Sequence, residues 1–267
     1  MRRVLAGLLV CLSLVACSSR ALVYEGPLDD GPGFSAYLVS YRSDGLKLHA
    51  MVAVPDQAKP AAGFPVIVAN HGFVPDPTRY GITAEGIDSR PGDYYRSVPE
   101  LYTSRGFLVV LPDYRGHNNS EGLEFTQRDD AIDFYAGDVV ALMAGLDEIE
   151  DADMNNVFMW SHSMGGGVSM RVLRATNLVK GASFWATMPV GDTAAKIGTP
   201  EIPVILHHSV GDTSTESTNS QVFAEILLVD GRRHVFHRYD GADHYFGGAT
   251  RELAADRDAE FFRSLGE

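Results

Sequence analysis

Two kinds of apolar pattern alternate along this chain. Residues 34–41 and 46–54 carry alternating or β-rich apolar positions on either side of Ser43-Asp44-Gly45, a β-hairpin signal. Pro65-Val66-Ile67-Val68-Ala69 and Gly106-Phe107-Leu108-Val109-Val110-Leu111 are short unbroken apolar runs. Such runs predict strands buried on both faces of a parallel sheet. A helical segment at 94–104 precedes the second run, and residues 134–149 place Val139, Val140, Leu142, Met143 and Leu146 on one helical face. Further strands are predicted at 156–160, 181–185, 203–207 and 234–239. A terminal helix at 249–265 turns Leu253, Ala254, Phe261 and Phe262 inward. Strands separated by helices imply a mostly parallel sheet with helices on both faces.

The first residues stand outside this pattern. Arg2 and Arg3 precede an apolar run at 4–16, shorter than the ~18 residues that a membrane span needs, so residues 1–16 read as a signal peptide. Its end, Leu14-Val15-Ala16-Cys17-Ser18-Ser19, resembles the lipobox of bacterial lipoproteins, which implies that Cys17 becomes the lipidated first residue. Residues 17–33, with Gly26-Pro27 and Asp29-Asp30-Gly31-Pro32-Gly33, read as a flexible tether, and 34–267 as the folded domain. Ser18 after the cysteine resembles lipoproteins sent to the outer membrane, so the expected location is exported and lipid-anchored, facing the periplasm. Both cysteines, Cys11 and Cys17, lie in this segment, and the body has no disulfide.

Composition narrows the partners. The 267 residues are 45% hydrophobic, enough for one substantial core. A formal charge of −13, with Lys and Arg scattered, argues against nucleic acid. No histidine pair shows metal-ligand spacing such as H-E-x-x-H, so no metal or other cofactor is expected.

The chemistry centres on Val157-Phe158-Met159-Trp160-Ser161-His162-Ser163-Met164-Gly165-Gly166-Gly167. A β-forming run stops at a small-residue turn, and a helical pattern resumes at Val168, Met170, Val172 and Leu173. This is the G-x-S-x-G nucleophile elbow with Ser161 in place of the first glycine. Small flanks are needed because the nucleophile sits on a strained backbone between strand and helix. Downstream, the strand at 203–207 leads to His208-Ser209-Val210-Gly211-Asp212. The last strand leads to Asp240-Gly241-Ala242-Asp243-His244-Tyr245-Phe246. Serine, acid and histidine thus follow the α/β-hydrolase order.

With Asn70-His71-Gly72-Phe73 and the stretch from Pro112-Asp113-Tyr114-Arg115-Gly116-His117 to Gly122, these motifs resemble an α/β-hydrolase. The closest likeness is to the catalytic domains of prolyl-oligopeptidase-like serine peptidases and related esterases. The resemblance spans residues ~35–265. It implies Ser163 as nucleophile, His244 as general base and Asp212 as its orienting acid, with Asp192 as the alternative acid. The backbone N–H groups of Phe73 and Met164 would form the oxyanion hole. Asp240 and Asp243 are expected to shape the histidine turn, and His162 to pack beside the elbow. His71 and His207 are read as structural, His234 and His237 as strand residues, and Asp113, Arg115 and His117 as braces.

The link at 186–202 is too short for a large cap. The segment 74–99, with Pro75, Pro77, Tyr80, Tyr94 and Tyr95, reads as a substrate-facing loop, and Tyr80 as an additional hydroxyl near the oxyanion site. The expected activity is hydrolysis of a small carboxylic ester or short peptide through an acyl-enzyme. A lipase or thioesterase held near the membrane by its anchor, and a catalytically silent binding lipoprotein, are the alternatives.

Overall fold

The computed structural model describes residues 20–79, 94–241 and 243–266. The hairpin of β2 (Phe34–Ser43) and β3 (Leu46–Pro55) forms as its turn chemistry dictates. Asp44 and Gly45 both take positive φ, at 50° and 84°, which lets a two-residue turn match the twist of the paired strands. Ahead of it, β1 (Val23–Pro27) pairs antiparallel with β2. From 20 onward, then, the stretch read as a tether belongs to the fold. Leu22 and Leu28 are buried, and the Glu148 carboxylate accepts the backbone N–H groups of Ala21 at 2.8 Å and Leu22 at 3.0 Å. The Gly26-Pro27 and Asp29–Gly33 turn signals hid a five-residue strand that ends on Gly26-Pro27 itself.

The remaining elements alternate: β4 (Phe64–Asn70), α1 (Val98–Thr103), β5 (Leu108–Asp113), α2 (Ala131–Met143), β6 (Ala152–His162), α3 (Met164–Ala175), β7 (Val179–Trp185), α4 (Val190–Ile197), β8 (Val204–Ser209), α5 (Thr218–Val229), β9 (His234–Tyr239) and α6 (Ala249–Gly266). The sheet order is β1-β2-β3-β5-β4-β6-β7-β8-β9. The pairings from β5 to β9 are parallel, and those among β1, β2, β3 and β5 antiparallel.

Both faces are covered, which explains the unbroken apolar runs. In β4, Val66 and Val68 enter the core under α2, α3 and α5, while Ile67 and Ala69 enter the core under α1 and α6. The predicted helix at 134–149 instead runs from Ala131 to Met143 and passes into a 3₁₀ turn at Leu146–Glu148. A Cβ at Gly145 would meet the Leu22 side chain at 2.7 Å, so the N-terminal segment docks where the helix stops. The sequence reading did not include α5, whose Phe223, Ala224 and Leu227 are buried. Among the described residues, no helix is long and apolar enough to cross a membrane.

Candidate active site

The parallel strands deliver their loops to one edge. At the end of β6, Ser163 has φ 54° and ψ −122°, a conformation that costs a non-glycine residue on the order of 1–3 kcal/mol. Three backbone hydrogen bonds hold it. Its N–H donates to the Trp185 carbonyl at 3.0 Å, and its carbonyl accepts from Gly166 at 3.0 Å and Met188 at 3.2 Å. The small flanks are a steric requirement: a Cβ at Gly165 would run into the Asn70 and His71 carbonyls, and one at Gly166 into Thr187. Ser161 is tolerated where glycine is usual because its hydroxyl turns away to the neighbouring strand and donates to the Ser183 carbonyl at 3.1 Å.

Past β8, the buried Asp212 carboxylate is fully engaged. Oδ1 accepts the N–H groups of Ser214 at 2.8 Å and Thr215 at 2.9 Å. Oδ2 accepts from His244 Nδ1 at 2.8 Å, with the Thr215 hydroxyl at 2.9 Å. Burial pushes the Asp212 pKa up, but the His244 hydrogen bond, the Thr215 N–H and the remaining contacts outweigh it and hold the carboxyl below its ordinary value. A carboxylate only accepts, so Nδ1 of His244 is the donor, and Nε2 of the neutral ring carries the lone pair a general base needs. His244 itself is 9% exposed.

A second, directional chain joins this histidine to the elbow and to the His-Gly-Phe turn after β4. His162 Nε2 donates to the His244 carbonyl at 2.8 Å, so its Nδ1 is the acceptor for the Tyr95 hydroxyl at 2.6 Å. The Tyr95 oxygen in turn accepts the Gly72 N–H at 2.8 Å. Burial, and then the nearby His244, lower the His162 pKa to about 3, so the ring is neutral as this chain requires. The His162 and His244 rings lie 4.6 Å apart between centroids, which sets the neighbour of Ser163 directly against His244.

Residues 82–197, under half of the chain, match a family model described as serine aminopeptidase, S33. No curated protein matches. Porphyromonas gingivalis dipeptidyl peptidase 4 aligns with TM-score 0.66 at 17% identity, over 88% of this chain and 36% of that one. Pyrococcus horikoshii acylaminoacyl peptidase aligns with TM-score 0.66 at 18% identity, over 88% and 42%. Est1E from Butyrivibrio proteoclasticus, with ferulic acid bound, aligns with TM-score 0.63 at 16% identity, over 85% and 98%.

The chain has the α/β-hydrolase fold.

It spans well under half the length of the two peptidases and nearly all of Est1E. The β7–β8 link holds only α4, so the structure has no large cap there.

The other residues singled out by sequence fall into place around that frame. Asp192 lies on α4. Asp240 and Asp243 are exposed, and Asp243 shapes the histidine turn by accepting the Tyr245 N–H at 2.9 Å. His207 packs behind the sheet, with Nε2 2.9 Å from Asp258 and Nδ1 2.7 Å from the Tyr239 hydroxyl. His234 donates to the Arg232 carbonyl at 3.0 Å, and His237 stacks on His207 at 5.3 Å. His71 is buried against Tyr114, with ring centroids 4.0 Å apart. Arg115 is buried on Asp138 at 2.6 Å and holds the loop after β5, while Ser120 donates to the Asp113 carbonyl at 3.1 Å. Burial lowers the pKa of His117 to about 4.

One further reading needs correction, and others cannot be placed. Tyr95, read as part of a substrate-facing loop, is buried, and its hydroxyl belongs to the His162 chain. Cys17, the signal peptide and Tyr80 lie outside the described residues. His208 was given no role by sequence, yet its Nε2 donates to the Thr215 carbonyl at 2.9 Å and lies 3.2 Å from Asp212 Oδ2. The only local hint was its spacing of four residues from Asp212. Among the described residues, no group of three or more His, Cys, Asp or Glu could hold a metal ion.

Phe73, 68% exposed, and Met164 share the lining of one cavity of about 220 Å³ beside the elbow.

Proposed function

We propose that this α/β-hydrolase is a serine hydrolase that cleaves carboxylic ester or short peptide bonds through an acyl-enzyme on Ser163. The observation that carries the reading is the 2.8 Å contact of His244 Nδ1 with a saturated, buried Asp212 carboxylate, on the loop that His162 ties to the strained Ser163 turn. In this scheme His244 Nε2 removes the Ser163 hydroxyl proton as Oγ attacks the carbonyl carbon. The same proton goes to the departing alcohol or amine, and water then repeats the cycle on the acyl-enzyme. Asp212 holds the productive tautomer and stabilises the imidazolium that forms. The N–H groups of Phe73 and Met164 receive the oxyanion, each such donor being worth about 10²–10³ in turnover.

The similarity to peptidase structures and to Est1E supports hydrolysis of an acyl bond, and leaves esters and amides as the two substrate classes to compare. A fluorophosphonate probe tests the reading. It should label the wild type and not Ser163→Ala; an unlabelled wild type, or equal labelling of both, overturns it. Rates on p-nitrophenyl acyl esters and aminoacyl p-nitroanilides, measured side by side, then rank the substrate classes.

The lipobox-like end at Cys17 supports a lipid-anchored, exported enzyme, placed at the outer membrane and facing the periplasm. Cys17→Ala should shift the protein from the membrane to the soluble fraction, and unchanged fractionation refutes the anchor.

A further inference from the structure

The cavity beside the elbow has a definite side. It is walled by the loop after β4, through Val74 and Pro77, and by the segment entering α2, through Ala131, Ile132 and Tyr135. In the sheet, β4 and β5 lie on one side of β6, whereas β8 and β9, which deliver Asp212 and His244, lie on the other. On the Ser163 reading, His244 must hand its proton to the leaving group, so the leaving group occupies the β8–β9 side. The acyl group then points to the β4–β5 side, into a cavity that begins at the two residues assigned to the oxyanion.

Size and polarity define what fits. An apolar cavity of about 150 Å³ accommodates benzene, so one of about 220 Å³ has room for a ring on a short linker but not for a long fatty chain. The wall formed by Val74, Pro77, Ala131, Ile132, Tyr135 and Met164 is apolar and held in place, while the rest of the lining, His117 and residues 126–129, is polar. Tyr135 stacks on Tyr114 with centroids 4.8 Å apart. Arg115, buried on Asp138, sits 4.8 Å from the Phe125 ring and 4.9 Å from the Phe134 ring and ties the wall segment to the sheet. Arg128 at the mouth is bonded to Asp130 at 2.7 and 2.8 Å, so its charge is already partnered, which disfavours an anionic acyl group.

We propose that this cavity is the acyl-group subsite and that it selects a compact apolar acyl group, a phenyl-bearing or short branched chain. The proposal rests on the Ser163 reading, and the test separates the two. Specificity constants are measured for p-nitrophenyl acetate, 3-phenylpropanoate and dodecanoate, with fluorophosphonate labelling of Ser163 alongside. Wild type should prefer the phenylpropanoyl ester to the acetyl ester by at least tenfold, and to the dodecanoyl ester as well. Ile132→Trp fills the cavity and should cut the phenylpropanoyl-to-acetyl ratio at least tenfold. Ile132→Ala enlarges it and should move the preference towards the longer chain, which keeps the test alive if the tryptophan variant does not fold. A labelled wild type with a flat acyl preference, or labelled variants with an unmoved ratio, overturns the subsite alone. Absence of both labelling and ester hydrolysis overturns the Ser163 reading, and the subsite with it.

Discussion

The Tyr95 hydroxyl lies 2.6 Å from His162 Nδ1, and this one contact connects the two halves of the site. Tyr95 receives the Gly72 N–H from the turn after β4, to which the oxyanion is assigned in the proposed mechanism, and His162 passes the link to the His244 carbonyl. Both side chains are buried, so the geometry of the link is enforced by packing.

Tyr95→Phe removes the donor to His162 and the acceptor for Gly72 while keeping the ring. Leaving such buried groups unpaired costs about 1–3 kcal/mol each, so a lower midpoint of thermal unfolding is expected. Because both the base and the oxyanion turn lose a support, kcat should fall roughly tenfold or more with a smaller change in KM, an estimate based on the cost of misplacing catalytic groups. An unchanged kcat in the folded variant would show that the link does not position the site.

Asp212→Asn keeps the size of the side chain but permits the wrong His244 tautomer. By the precedent of serine-hydrolase triads, kcat should drop by about 10⁴. Steady-state kinetics on the preferred ester decide it, and a loss below tenfold would point to Asp192 or another acid as the partner.

Acid should destabilise the fold well above the carboxylate range. Burial holds His162 near a pKa of about 3 and His117 near about 4, and lowers His71 and His208 too. In the unfolded chain these histidines bind protons near pH 6.5. The unfolded state therefore holds more protons below that pH, and stability falls as pH drops. For His162 alone the loss by pH 5 is on the order of 2 kcal/mol. Asp212, whose pKa is lowered, adds a loss in the same direction as pH falls further, through the acid range. Urea midpoints measured from pH 7.5 to 4.5 should decline steadily; a flat profile would contradict the neutral-histidine assignment.

Behind the sheet, the fully buried Asp258 on α6 accepts from the Tyr102 hydroxyl at 2.6 Å and Trp185 Nε1 at 2.8 Å, and meets His207 Nε2 at 2.9 Å. It ties α6 to α1, β7 and β8. Asp258→Ala strands those groups and should cost about 3–5 kcal/mol in urea unfolding, with a change in Trp185 fluorescence. A loss under 1 kcal/mol would mean that water or a rotated neighbour satisfies them.

Much of this arrangement was legible because the signals are local. The unbroken runs of β4 and β5, the Asp44-Gly45 turn and the small residues around Ser163 each follow from sterics or burial acting within a few residues. The order of Ser163, Asp212 and His244 also reads directly, since each residue follows its own strand. The strand at Val23–Pro27 was missed because turn-forming residues end it at Gly26-Pro27 and follow it at Asp29–Gly33. Tyr95 was misplaced because an aromatic in a Pro- and Tyr-rich loop looks the same whether it faces in or out.

The sequence by itself determined the strand-and-helix alternation, the elbow and the order of the residues that meet there. Only the tertiary structure decided that Tyr95 turns inward to His162, that His208 stands beside Asp212, and that the loops after β4 and β5 line a compact, mostly apolar cavity. The physical reason is range. Tyr95 and His162 are separated by 67 residues, and His162 and His244 by 82, so the partner of each polar group is set by where the parallel sheet brings its loop ends together.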